Sequence, residues 1–278
     1  MRLDLSLAND IKNIMISYYE LRTPDRRNIY EKLWGIDKKE KIRADIRNKL
    51  IQFDSIMIDS GAYSYMSGVL KERGKKMDKY VKEYGNWLKE NNDIYEHFFE
   101  MDVDSITGIQ KVEEYRDYLE KCAGKQSIPV WHDIRGLNYW KKMVKNYKYI
   151  AIGGIVSGEY DYKSLGQRLA TMIEYAHSYN CKVHVLGYTQ LKYLPYINTD
   201  SIDSSSWLGG SKYGHLYLYF DKELFCIDLK SIHKKSELYY REFDAINIKA
   251  WKLYIDYINE YWGAQSINKK SNSLNEKG

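Results

Sequence analysis

Several short apolar runs in this chain end on residues that can do chemistry. Asp59 closes "SIMIDS" (55–60), Asp102 closes "YEHFFEMD" (95–102), and His132 closes "SIPVWH" (127–132). Gly153 and Gly154 close "YIAIGG" (149–154), Gly187 closes "KVHVLG" (182–187), and Asp203 lies in "DSIDSS" (200–205). Each acid, taken singly, can serve as a helix N-cap. Three of them at one mouth would raise one another's pKa, a cost that a working site justifies better than a set of loops. Paired carboxylates at a pocket mouth suit glycosidic bond exchange, one attacking the anomeric carbon while the other handles the proton of the leaving group. "IAIGGIVSGE" (150–159) adds consecutive backbone N–H groups of the kind that grip phosphate. Glu159 beside them would repel an anion, so these glycines can instead let a flat heterocycle lie against the backbone.

The elements that must position these residues follow from periodicity. Together with "NIMISYY" (13–19) and "HLYLYF" (215–220), the runs make about eight strands. The stretches between them carry apolar residues at helical spacing, as Tyr80, Tyr84, Trp87 and Leu88 do within 76–91. Strand and helix in alternation predict an α/β protein, a (β/α)8 TIM barrel, with a doubly wound open sheet as the alternative. No Pro-rich linker divides the chain, so residues 1–263 read as a single barrel domain that includes a C-terminal helical extension, and residues 264–278 read as a disordered polar tail.

Composition narrows the class. The chain has 278 residues, a formal charge of +5 and a mean hydropathy of −0.61, without an apolar run long enough for a membrane span. Its first residues hold acids where a signal peptide needs an apolar core, so the expected location is cytoplasmic, with no membrane partner. Cys122, Cys181 and Cys226 lie far apart and are odd in number, which specifies neither a disulfide framework nor a zinc site. Basic clusters "KERGKK" (71–76) and "KKMVKNYK" (141–148) can hold phosphates, although a solvated surface explains each of them alone. With 28 tyrosines and 7 tryptophans against 6 phenylalanines, the rings carry polar tips that suit stacking surfaces as well as cores.

Five stretches, in order, resemble the motifs of the tRNA-guanine transglycosylase (queuine tRNA-ribosyltransferase) superfamily. "DSGAYSYM" is similar to its DSGG[FY]Q segment, "FEMDVDS" to FDEC, "AIGGIVSGE" to GGLAVGE, "VLGY" to LMGVG, and "DSIDSSSWLGGSKYG" to DxFDCVMPTRxxRxG. The resemblance spans residues 55–214; each match is degenerate, and the order is the specific part. It implies Asp203 as nucleophile and Asp59 as general acid/base, with Asp102 on the N1/N2 edge of a guanine. It further implies Ser60 beside the base, backbone contacts from Gly153, Gly154 and Ile155, a sandwich of the ring between Tyr63 and Leu186 next to Gly187, and Glu159 near the 7-substituent. No cofactor is implied.

Departures from the family pattern redirect the substrate. "VWHDIRG" (130–136) stands where the family has VQGG, so Trp131 or His132 takes the place of its glutamine. "SSW" (205–207) replaces the PTR triplet, and the CxCxxC…H zinc module is missing, with only Cys226 and His233 in that region. The chain therefore resembles most the divergent zinc-less branch, the DpdA-like DNA 7-deazaguanine transglycosylases of phages and bacterial modification islands. The expected partners are nucleic acid, DNA ahead of tRNA, and a preQ0-like 7-deazaguanine base. Trp207, Lys212, Lys75, Lys76, Lys141 and Lys142 are the candidate contacts to the strand. The oligomeric state stays open, a monomer being the simplest case. The alternatives are a tRNA-directed enzyme, a catalytically inactive nucleic-acid-binding barrel, and a phosphate-gripping isomerase or aldolase.

No metal site is expected. Elemental analysis of the purified protein should find far less than one zinc per chain, and chelation should leave its melting temperature unchanged; about one zinc per chain, lost together with stability, would contradict this.

Overall fold

The computed structural model describes residues 2–22, 36–69, 75–154, 162–188, 194–229 and 237–275. The chain is a mixed α/β protein with parallel sheets, and it divides into two compact units, Met1–Ala151 and Ile152–Gly278.

In the first unit, β1 (Asn13–Ser17), β2 (Ser55–Asp59) and β3 (His97–Phe98) form a parallel sheet in that order, with Ser17 opposite Asp59 and Ile58 opposite Phe98. A parallel bridge from Phe99 to Ile128 leads on to β4 (Val130–Trp131), and Ala151 N–H donates to Pro129 O at 2.8 Å to bring in β5 (Tyr149–Ile152). Neighbours in space are thus neighbours in sequence. A doubly wound sheet reverses its strand order, whereas this unit runs one way through five strands. Helices Ile36–Leu50, Lys75–Glu90, Ile109–Ala123 and Gly136–Asn146 fill the connections.

The helical spacing of Tyr80, Tyr84 and Leu88 does turn one face inward, each being at most 1% exposed. Their polar tips are used there. Tyr80 donates its hydroxyl to Ser60 O at 2.6 Å, and Tyr84 lies 3.3 Å from Ile58 O and 3.1 Å from Phe99 O. A phenylalanine would leave those strand-end carbonyls without that donor inside the core. At about 1 kcal/mol for a hydrogen bond made and more for a buried group left unmet, tyrosine is the stabler choice. Burial pushes the Tyr84 phenol well above its ordinary value.

The second unit carries the helix Tyr162–Ser178 and the parallel pair β6 (Lys182–Val185) and β7 (Ser201–Ile202). The run "HLYLYF" is a strand, β8 (His215–Phe220), yet it pairs antiparallel with β9 (Glu223–Asp228) as a hairpin instead of extending a parallel sheet. Its two-residue turn, Asp221 and Lys222, takes positive φ at both positions (47° and 66°), the conformation that matches strand twist. The long helix Glu237–Asn275 docks on this hairpin, and it continues into the stretch that the sequence reads as a polar tail. Buried Asn247 accepts from Tyr217 N–H at 2.7 Å and donates to His215 O at 2.9 Å, while Tyr217 meets Trp251 edge to face. No helix among the described residues is long and apolar enough to cross a membrane.

The turn after β2 is fixed by Gly61. Its φ is +75°, and a Cβ there would sit 2.5 Å from Tyr19 Cβ and 2.8 Å from both Ser17 Oγ and the Tyr80 hydroxyl. Gly61→Ala should therefore lower unfolding stability by about 2–5 kcal/mol, combining left-handed strain with overpacking. Chemical denaturation reads this directly, and a loss under about 0.5 kcal/mol would show that the turn relaxes freely.

Candidate active site

Asp59 is the last residue of β2, and Ser60 and Gly61 turn the chain from it into the helix Ala62–Val69. The Asp59 Oδ2 accepts from Gly61 N–H at 3.1 Å, while Ser60 Oγ accepts from Ala62 N–H at 3.3 Å. Each contact spans two residues and closes a turn ahead of the helix, so Asp59 is not the N-cap, a position that falls to Gly61. Ser60 is fully buried and committed to that turn. Asp59 is half-buried. Tyr63 is 82% exposed on the first turn of the helix, open to a ligand ring.

Asp102 follows β3 and meets His132, which follows β4, with 3.2 Å between Oδ2 and Nε2. Both side chains keep 20% of their surface open. Burial raises the Asp102 pKa, and the hydrogen bond and charge of His132 only partly offset it. Burial acts to lower His132, but the hydrogen bond and charge of Asp102, joined by Asp104, outweigh it and hold the imidazole above its ordinary value.

Beneath this pair lies a network that the sequence reading did not single out. Glu100 is fully buried. One of its oxygens accepts from Val130 N–H at 2.7 Å and from Arg135 Nη1 at 2.8 Å, and the other pairs with Arg116 Nε. Arg135 also donates from Nε to Asp104 Oδ2 at 3.0 Å. Burial acts to raise Asp104, but that guanidinium prevails and holds its carboxyl below the ordinary range. A charge inside the apolar run "HFFEMD" was the available signal, since a buried carboxylate needs cationic partners.

In the second unit, Asp203 directly follows β7. Its Oδ1 accepts from Gly187 N–H at 2.7 Å and lies 3.3 Å from His184 Nε2. Gly187 has φ +62°, and Leu186 N–H donates to Ile152 O at 2.9 Å. His184 is buried on β6, and its Nδ1 bonds Ser201 Oγ. It too was missed, because an isolated histidine in a strand reads as core. Gly153 is buried, and Gly154 has φ +74° and is exposed. Ile155 and Glu159 lie outside the described residues.

The candidate strand contacts are dispersed. Trp207 is half-buried in a 3-10 turn, Ser206–Leu208, and Lys212 is exposed on the helix Gly209–Tyr213. Lys76 and Lys141 are exposed, and Lys142 lies 3.2 Å from Glu113. Lys75 begins the helix Lys75–Glu90, and its side chain lies outside the described residues, as do residues 71–74 of the basic cluster. A cavity of about 440 Å³ lined by Glu113, Arg116, Tyr139, Lys142 and Tyr147, among others, contains none of the strand-end residues, and its cations already bond to Glu100 and Glu113. No cluster of metal-ligating side chains occurs among the described residues.

The chain matches no family model and no curated protein.

The buried and exposed ion pairs should behave differently. Glu100→Gln, which leaves two buried guanidinium groups short of their counter-charge, should cost about 3–5 kcal/mol of stability. Lys142→Ala, which removes a half-exposed pair, should cost about 0–1 kcal/mol. Denaturation curves of both variants test the contrast, and equal losses would mean that Glu100 is not the anchor described.

Proposed function

We propose that this protein is a base-exchange transglycosylase that replaces guanine in a polynucleotide, DNA in preference to tRNA, with a 7-deazaguanine derivative. On this reading the strand-helix units belong to one (β/α)8-type barrel, of which seven parallel strands lie among the described residues and to which the hairpin β8–β9 does not contribute. The sequential order of the strands in the first unit and the parallel β6–β7 pair favour that architecture over a doubly wound sheet. The observation that carries the proposal is the position of the acids: Asp59, Asp102 and Asp203 each stand at or just beyond the C-terminal end of a parallel strand. That is where barrel enzymes gather their catalytic groups.

In the proposed reaction a guanine nucleotide leaves the stack and enters the site, at an unstacking cost of about a few kcal/mol. The Asp203 carboxylate attacks C1′; the C1′–N9 bond breaks, and its electron pair leaves with the purine, whose N9 takes the proton of Asp59. The incoming 7-deazaguanine gives its N9 proton to the Asp59 carboxylate, attacks C1′ and releases Asp203. Two inversions give net retention, and one glycosidic bond replaces another, so no redox partner or energy source enters. Gly187 N–H and His184 hold one oxygen of Asp203, which orients the carboxylate. Asp102 accepts from guanine N1–H and the exocyclic amine, which favours guanine over adenine. The replacement of the PTR triplet by Ser205, Ser206 and Trp207, together with the missing zinc module, favours DNA. Stacking on a half-buried tryptophan needs no 2′-hydroxyl.

Incubation with labelled guanine and duplex DNA, single-stranded DNA or unmodified tRNA tests the proposal, because exchange incorporates label without any deazaguanine. Label should enter DNA, and Asp203→Asn should abolish both the exchange and the trapped covalent adduct while the protein stays folded. Label in tRNA alone would overturn the choice of DNA. Exchange by Asp203→Asn at even about a tenth of the normal rate would overturn the nucleophile.

A further inference from the structure

We propose that the outward face of the β8–β9 hairpin is a homodimer interface. A second copy of this chain packs its own hairpin face there, about a two-fold axis that crosses the strands at the Leu218–Phe225 pair.

The ground is the division of the hairpin into two faces, since alternate residues of a strand point to opposite sides. One side is taken. Tyr217 and Tyr219 meet Trp251 and Tyr254 of the helix Glu237–Asn275 edge to face, and Leu224 on the same side is buried. The other side carries Leu216 opposite Ile227, Leu218 opposite Phe225, and Phe220 opposite Glu223. Here Phe220 is 74% exposed, Phe225 46%, Leu218 43% and Ile227 37%. Single exposed apolar residues are ordinary on a protein surface. A continuous cross-strand set of them, on the order of 400 Å² of exposed surface, is of the size that marks an interaction site.

Charge selects the occupant. The outward face holds no lysine or arginine, so a nucleic-acid strand would find no cation to meet its phosphates there. The turn at its end carries Asp221 and Glu223 around a single Lys222, which disfavours an anionic bilayer surface. A copy of the same face fits it. Rotation about the axis sets Leu218 on the partner's Leu218, Phe225 on the partner's Phe225, and Phe220 on the partner's Leu216, as two apolar sheet faces pack about 10 Å apart. The Glu223 carboxylates then lie at opposite ends of the interface, each at the rim beside the partner's Ile227. An axis running along the strands would instead bring both carboxylates to one end, where like charges repel.

The area sets the strength. Covering both faces removes about 800 Å² of apolar surface from water, and with its rim the interface falls at the low end of specific ones, near about 1,200 Å². The dimer is therefore reversible, with a dissociation constant in the micromolar range.

Sedimentation velocity of the full-length protein from about 1 to 200 μM tests this, and monomer should pass to dimer across that range. Leu218→Lys and Phe225→Lys should each raise the dissociation constant at least about tenfold. Phe220→Asn should do the same on a side chain too exposed for folding to depend on it, and thermal melting verifies that each variant folds. Ile51→Lys, at an apolar residue equally open to solvent but away from the hairpin, should leave association unchanged. With the exposed Cys226 replaced by serine, Leu218→Cys should link to itself through a short bismaleimide. Phe220→Cys should not, but should link to Leu216→Cys when the two variants are mixed. A monomer at every concentration would overturn the proposal. So would a dimer indifferent to all three face variants, or one in which Phe220→Cys links to itself and Leu218→Cys does not.

Discussion

A single carboxylate with no contact to solvent holds the first unit's strand ends in register. Glu100 is fully buried, where an isolated charge would be prohibitive, and two arginines and a backbone N–H answer it. Such a cluster adds little stability over an apolar one of equal volume, since desolvation consumes most of the Coulombic gain. Its merit is directional. Leucine at 100 would fill space as well, but it could not fix how the turn after β4 sits against the segment after β3. Arg116 extends the same set of bonds outward: its Nη2 donates to the Tyr139 hydroxyl at 3.0 Å.

The strand ends are built so that structural and chemical demands fall on the same residues. Asp59 caps the turn that Gly61 makes, and Asp203 accepts the N–H of Gly187, another residue at positive φ. A carboxylate has more lone pairs than one backbone N–H can occupy. An acid can therefore define its own turn and still present an oxygen to a ligand, so capping and catalysis are not competing explanations for these positions. Tyrosine plays the matching part underneath, where Tyr80 and Tyr84 fill the core with their rings and bond the carbonyls of Ser60, Ile58 and Phe99 with their hydroxyls.

What could be read in the sequence was whatever depends on period and on position along a strand. The seven runs from residue 13 to residue 205 each contain a strand, and Tyr80, Tyr84 and Leu88 face inward as their spacing requires. The eighth run failed as a member of a parallel sheet because strand propensity carries no direction. "HLYLYF" is followed by Asp221-Lys222, a turn without the glycine that would have marked a hairpin. Glu100, Arg116, Arg135 and His184 escaped notice for a different reason. Their partners lie between 16 and 35 residues away, and pairing at that range is set by the fold and not by any local pattern.

Two histidines illustrate how burial divides roles that the sequence leaves alike. His132 meets Asp102 at 3.2 Å and His184 meets Asp203 at 3.3 Å, so each of these two acids has an imidazole nitrogen beside it. His132 retains 20% of its side-chain surface, whereas His184 retains 1% and has Ser201 on its other nitrogen. A group with both nitrogens engaged inside the core cannot touch a substrate, so its part in the proposed exchange is to hold the nucleophile in one orientation. A group with an open edge beside a carboxylate can touch one. The same pair of residue types is thus closed off in the second unit and partly open in the first, and the difference lies in how much of each ring the surrounding structure leaves uncovered.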